Sequence, residues 1–189
     1  MGCELVLIRH GLTDWNDAGR LQGHTDIPLN DIGRQQATAV AAELRRRRKQ
    51  VDAVYSSHLA RAAATATIIA AAYGLTARID ARLRERALGV AEGLTWPELQ
   101  ARFGEPDGSV NLDALPGVEP RSAVIERVDA ALRDIAQRHR QATVVIVGHG
   151  SALGNWLQAR FGFEERPRLP NGGIVVVHDF PARAQVQHW

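Results

Sequence analysis

The feature that most constrains this chain is its alternation of short apolar runs with helical periodicity, in which the runs end at polar, chemically capable residues. Glu4 to Ile8 (ELVLI) stops at Arg9-His10, and Val51 to Tyr55 stops at Ser56-Ser57. Thr76 to Ile79 leads into a stretch rich in Arg, Glu and Gly, and Thr143 to Val147 ends at Gly148-His149-Gly150. Continuous apolar runs of this length describe strands buried on both faces. Between them lie candidate helices. One runs from Asp31 to about Arg47 behind Asn30 as N-cap, with Val40, Ala41 and Leu44 on one face; an Ala-rich helix runs from His58 to Tyr73 and stops at Gly74. Further helices are expected at Trp96–Phe103, about Ser122–Gln137 and Ala152 to about Phe161, with last strands at Gly173–Val177 and Ala184–His188. Leu12–Pro28 and Gly104–Pro120 read as loops. The pattern predicts an α/β fold, a three-layer α/β/α sandwich with a mainly parallel central sheet. With no internal repeat and no long linker, 189 residues are expected to form a single domain, 1–189.

Composition narrows the function classes. The net charge is +2, from 23 basic and 21 acidic residues, and Lys49 is the only lysine. So small a surplus does not suit a binder of polyphosphate backbones, and no nucleic-acid partner is expected. The most apolar stretch, Ala62 to Tyr73, is interrupted by Thr65 and Thr67 and falls well short of the roughly 20 residues that span a bilayer, so no membrane association is expected. The single cysteine, Cys3, reads as a small buried hydrophobe. Together with an N-terminus lacking a basic, then apolar, leader, it points to a reducing, cytoplasmic setting. The charge run Arg45–Lys49 reads as a solvated helix end favoured by the macrodipole.

In an open parallel sheet, function gathers beyond the carboxyl ends of the strands. Arg9, His10, His149 and, at the start of the Ala-rich helix, Arg61 stand there. Gly11 and Gly150 each follow a histidine, where a missing side chain lets backbone approach a ligand. Guanidinium forks match phosphate oxygens, and helix N-termini add N–H donors, so the set describes a pocket for a phosphoryl group. The sequence has no Walker A run, no DxDxxG-type loop, no HExxH and no second cysteine, so no metal or other cofactor is expected. A histidine remains as nucleophile, kept neutral by neighbouring arginines that also neutralise charge in the transition state. The carboxylate best placed to protonate the leaving alkoxide is Glu85, in Leu83-Arg84-Glu85-Arg86.

The run LVLIRHGLTDWN, continuing through GRLQGHTDIPLNDIGRQQA, resembles the signature of the histidine phosphatase superfamily, in its phosphoglycerate mutase-like branch. The resemblance returns in SSHLARAAATA (56–66), LRERALGVAEGL (83–94), VGHGSALG (147–154) and RLPNGGI (168–174), so it covers most of the chain. It implies that His10 is the nucleophile that becomes phosphohistidine. Arg9, Arg61 and His149 would hold the phosphoryl oxygens, with Glu85 as proton donor and later as base for water. It also implies a phosphate contact from Asn16 and a mouth lined by Thr13, Gln22 and Gly23, with no metal. Leu12 stands where the family commonly has Glu or Gln, which predicts a more apolar rim. Val118 and Pro120, flanking Glu119, also depart from the family, and no substrate contact is carried over to Glu119.

A dinucleotide-binding reading of GHGSALG is disfavoured, because its spacing is GxGxxxG and no acidic residue follows at a strand end about 20 positions on. A phosphate-binding regulator without catalysis is an alternative, but it normally lacks the nucleophile or the acid, and His10 and Glu85 are both present. Mutase and phosphatase would share the phosphohistidine and differ in who receives the phosphoryl group. Mutases of the family are usually longer, with a larger insertion and a C-terminal tail that exclude water. The modest excursion from Glu85 to Ser122 therefore favours hydrolysis of a small phosphomonoester, with phosphoglycerate mutase activity as the alternative. Trp96, Phe103, Leu112 and Leu115 read as an apolar lid suited to an apolar or sugar-like substrate, and the compact size resembles phosphatases acting on α-ribazole phosphate. His24, His58, His139, His178 and His188 are expected to be surface or structural residues. A homodimer paired through an edge strand or helix is a further expectation.

Overall fold

The computed structural model describes residues 2–48, 50–182 and 184–188. Its twelve main elements are β1 (Cys3–Arg9), α1 (Asp14–Asp17), α2 (Asp31–Arg47), β2 (Ala53–Ser56), α3 (Ala60–Ala71), β3 (Arg78–Ile79), α4 (Trp96–Phe103), α5 (Arg121–Arg138), β4 (Thr143–Gly148), α6 (Gly150–Phe161), β5 (Ile174–Phe180) and β6 (Gln185–His188). The strands form one sheet in the order β3-β2-β4-β1-β5-β6. Its β3-β2, β2-β4 and β4-β1 pairings are parallel, while β5 and β6 close one side as an antiparallel edge.

Side-chain alternation along β1 explains the layers. Leu5 and Leu7 pack with Val144 and Ile146 of β4 against α5 and α6, where Val128, Leu132, Ile135, Leu153 and Trp156 are buried. Val6 and Ile8, with Val54, Val145 and Val147, face the opposite way onto Val40, Ala41 and Leu44 of α2 and Ala62, Ala66 and Ile69 of α3. A strand covered on both faces needs apolar residues at every position, which is why these strands read as unbroken runs. The expected three-layer sandwich is the observed architecture. Cys3 is buried, and burial pushes its thiol up to about 12, so it is a core residue in chemistry as well as position.

Several boundaries and readings move. The loop Leu12–Pro28 contains the short helix α1, capped by Thr13, whose hydroxyl accepts the Asn16 N–H. The expected strand Thr76–Ile79 shortens to Arg78–Ile79. Phe103, Leu112 and Leu115 do not form a lid: they pack with Leu88, Ala91 and Leu99 in a small core of their own, and Trp96 is exposed at the start of α4. In the charge run Arg45–Lys49, Arg46 and Arg47 pair with Glu43 on α2, and Lys49 lies outside the described residues, as does the side chain of His188. No helix among the described residues is long and apolar enough to cross a membrane.

Candidate active site

Parallel register brings the reactive residues together. Arg9 of β1 pairs with Gly148 of β4, and the His10 N–H donates to the Gly148 carbonyl at 3.0 Å. The next residue on each strand is a histidine, so the His10 and His149 rings meet edge to face with centroids 5.1 Å apart. Ser56 of β2 pairs with Val147, which places Ser57 beside His149, Oγ to Nε2 at 2.6 Å. After β1 the chain crosses to α2 on one face of the sheet, and after β4 it enters α6 on the other. The histidines therefore stand in the crevice where the connections diverge, the position at which open α/β sheets bind ligands.

His10 is 2% exposed, and its Nδ1 lies 2.7 Å from the Gly11 carbonyl oxygen. A carbonyl can only accept, so Nδ1 carries the hydrogen and Nε2 keeps its lone pair. Burial, then the charges of Arg61 and Arg9, hold the pKa of His10 well below the usual histidine value. His149 is shifted the same way, by burial and then by His10, Arg61 and Arg9. Both rings are thus neutral imidazoles near pH 7.

Arg61, in the first turn of α3, is fully buried and donates to the carbonyls of Gly23 (2.8 Å) and Thr25 (2.9 Å). Arg9 donates to the Leu169 carbonyl at 2.8 Å. These bonds aim the guanidinium groups but do not exhaust them. Arg9 Nε, Arg61 Nε, His149 Nδ1 and Gln22 Oε1 are buried with no hydrogen-bond partner, an arrangement that is costly unless something polar completes it.

Glu85 closes the site from the side of α6. Its carboxylate accepts the N–H groups of Ser151 (3.0 Å) and Ala152 (2.8 Å), and that of Arg86 (2.9 Å). Its own carbonyl is held by Arg127 Nη2 and His24 Nε2, both at 2.8 Å. Of the neighbouring carboxylates, Glu92 is already engaged, taking the N–H groups of His24, Thr25 and Leu88 and the Thr25 hydroxyl. Burial alone would raise its pKa, but these hydrogen bonds outweigh it and hold the value below the ordinary carboxylate range. Glu98 caps α4, and Glu119 pairs with Arg127 at 2.7 Å.

A cavity of about 380 Å³ opens here, lined by Arg9, His10, Asn16, Gln22, Gly23, Arg61, Glu85 and Gly150 together with residues that sequence reading did not select. Three expectations are corrected. Thr13 does not line the mouth: it is fully buried as the cap of α1. Gly11 approaches its own chain, not a ligand, since a Cβ there would lie 2.3 Å from the Gly33 carbonyl oxygen. Leu12 does not form the rim, its N–H being tied to Gln36 Oε1 at 2.8 Å. His149 stands behind His10, with its Nδ1 buried and unpartnered. Gly23 is required twice over, by φ +53° and because a Cβ would meet Glu92 Oε1 at 2.1 Å.

Asn171 is the main positioning residue that the motifs contained but did not reveal. Its amide donates to the carbonyls of His10 (3.1 Å) and Gly11 (3.2 Å) and to Asn16 Oδ1 (3.1 Å). Because Asn16 Oδ1 also accepts from Thr13, the Asn16 amide nitrogen is left to donate. Arg166 and Arg168 line the same cavity; Arg168 opens the RLPNGGI motif, which assigns it no role, and Arg166 carried no signal beyond its charge. Among the described residues no group of three or more His, Cys, Asp or Glu could hold a metal ion.

The comparisons with known proteins agree with this geometry. The family model for the histidine phosphatase superfamily (branch 1) matches residues 5–189. The chain is 40% identical to phosphoglycerate mutase-like protein 4 of Arabidopsis thaliana over 98% of its own length and 84% of that protein. It is 35% identical to a metal-independent phosphoserine phosphatase of the same plant, over 93% of this chain and 76% of the other. Among solved structures, a mycobacterial glucosyl-3-phosphoglycerate phosphatase in complex with VO3 superposes with a TM-score of 0.85 at 28% identity, covering 98% of both chains.

Proposed function

The chain belongs to the histidine phosphatase superfamily, branch 1, whose compared members include a metal-independent phosphoserine phosphatase and a phosphoglycerate mutase-like protein, and from that premise we propose that it hydrolyses small phosphomonoesters through a phosphohistidine on His10. The observation that carries the reading is a neutral His10 whose Nδ1–H is fixed on the Gly11 carbonyl, beside the buried N–H groups of Arg9 and Arg61 that have no partner.

In the first step His10 Nε2 attacks phosphorus, the P–N bond forms and the ester P–O bond breaks. Glu85 gives its proton to the departing alkoxide. Arg9, Arg61 and the His149 ring stabilise the charge spread over the equatorial phosphoryl oxygens, with Asn16 donating from the α1 side. Their aim is set beforehand by bonds to Gly23, Thr25, Leu169, Ser57 and Asn171, so little reorganisation accompanies the reaction. In the second step the Glu85 carboxylate takes a proton from water, the water oxygen attacks phosphorus and the P–N bond breaks. Inorganic phosphate leaves and Glu85 is again protonated.

The test is phosphate release from a panel of phosphomonoesters in EDTA, without bisphosphoglycerate. Turnover that persists in EDTA and falls by at least about 10³-fold in His10→Ala supports the reading. A strict metal requirement would overturn it, and 2-phosphoglycerate formed from 3-phosphoglycerate only on adding bisphosphoglycerate would replace it with a mutase.

A further inference from the structure

The cavity holds more positive charge than a phosphoryl group uses. Arg9, Arg20, Arg61, Arg166 and Arg168 line it against one carboxylate, Glu85. Arg61 is buried and Arg9 half-buried beside His10, and Arg20 is engaged by the Gly93 carbonyl (2.6 Å) and Glu98 (3.2 Å). Arg166 and Arg168 differ from these. Both follow α6, both are exposed, and among the described residues neither has a hydrogen bond or a salt bridge, although Arg166 lies close enough to Glu85 and Arg168 to feel both charges. The stem of Arg166 runs against α6, where a Cβ on Gly154 would meet its Cγ at 3.1 Å. Two adjacent guanidinium groups at a cavity wall repel one another, and an anion between them relieves that repulsion.

The apolar lid expected from Trp96, Phe103, Leu112 and Leu115 lies elsewhere, leaving Leu21, Leu88 and Leu169 as the large apolar side chains of the lining. A volume of about 380 Å³ is near the lower end for ligand pockets, which run from about 300 to 1,000 Å³. There is room for a short carbon skeleton beside the phosphoryl group. We propose that Arg166 and Arg168 determine specificity by binding a carboxylate on the alcohol part of the substrate, so that the preferred esters are small phosphorylated hydroxy acids. This rests on the phosphatase reading above and names its substrate class.

The matched probes are 3-phosphoglycerate and glycerol 3-phosphate, which share a skeleton and differ in a carboxylate against a hydroxymethyl group. The expected result is a kcat/KM ratio of about tenfold or more in favour of the acid, shrinking as ionic strength rises. In the double variant Arg166→Gln/Arg168→Gln the ratio should fall to within about twofold, and in Arg166→Lys/Arg168→Lys it should be partly retained. Damage to the fold lowers both kcat/KM values together and leaves the ratio unchanged, so the ratio reads the arginines alone. No preference in the unmodified enzyme, or a preference that survives the Gln double variant, would overturn the assignment. Failure to hydrolyse either ester or p-nitrophenyl phosphate would instead defeat the phosphatase reading on which it rests.

Discussion

Glu85 has one task that the structure shows and one that we propose, and the two can be separated experimentally. Its carboxylate takes the first free N–H groups of α6, a helix with no side-chain cap of its own, and the mechanism also asks it to move a proton. Glu85→Gln keeps an amide oxygen to accept from the helix but cannot supply the proton. Its rate of phosphoenzyme formation from alkyl phosphates should fall by about 10² to 10⁴, with a much smaller loss for p-nitrophenyl phosphate, whose leaving group needs little protonation. Equal losses on the two substrates would show that capping was its only role. At this scale the sequence was readable where an apolar run ends in a polar residue, as at Arg9, His10 and His149. It was opaque where a residue acts from a loop: Asn171, His24 and Arg127 reach the site through bonds to backbone carbonyls, and no local pattern encodes such a partner.

At the scale of elements, helix starts were misread because their caps come from distant chain. α3 begins at Ala60, not at His58, and the Ala60 N–H is taken by Asp26 at 2.7 Å. α6 begins at Gly150, not Ala152, with its free N–H groups on Glu85. Helix and strand interiors were legible because both faces of the sheet are covered and periodicity reports burial directly. The start of α2 bears on the site. Gly33 sits against the turn after His10, and a Cβ on it would lie 2.0 Å from the Leu12 carbonyl oxygen. Since the clash is with backbone, it cannot be relieved by turning a side chain. Gly33→Ala should therefore destabilise the protein by about 1 to 3 kcal/mol or more in urea unfolding and lower activity by displacing the Gly11 carbonyl that orients His10. Unchanged stability and activity would show that the contact yields easily.

For the whole molecule, two neutral histidines inside the fold make stability depend on pH. The folded pKa values of His10 and His149 lie well below their unfolded value of about 6.5, so below that pH the unfolded chain binds more protons than the folded one. Stability is fully present above about pH 6.5 and is lost as pH falls from there towards the folded values. Each histidine contributes at most about 1.4 kcal/mol per pH unit in that window. Urea unfolding between pH 7.5 and 5 should show this decline, with a shallower slope in His10→Asn; equal slopes would mean that His10 binds its proton equally in both states. The same burial that lowers stability in acid keeps His10, the proposed nucleophile, unprotonated at neutral pH, so the cost to the fold and the proposed use in the site share one cause.

The central claim is a phosphoryl group carried on one nitrogen of one histidine, and the most direct test is to trap it. Glu85→Gln mixed with p-nitrophenyl phosphate should form phosphoenzyme readily and hydrolyse it slowly, because the base for water is gone. Rapid quenching followed by peptide mapping should then find an acid-labile phosphoryl group on His10, at Nε2. A phosphoryl group on another residue, or single-turnover release of phosphate with none on the protein, would contradict the account.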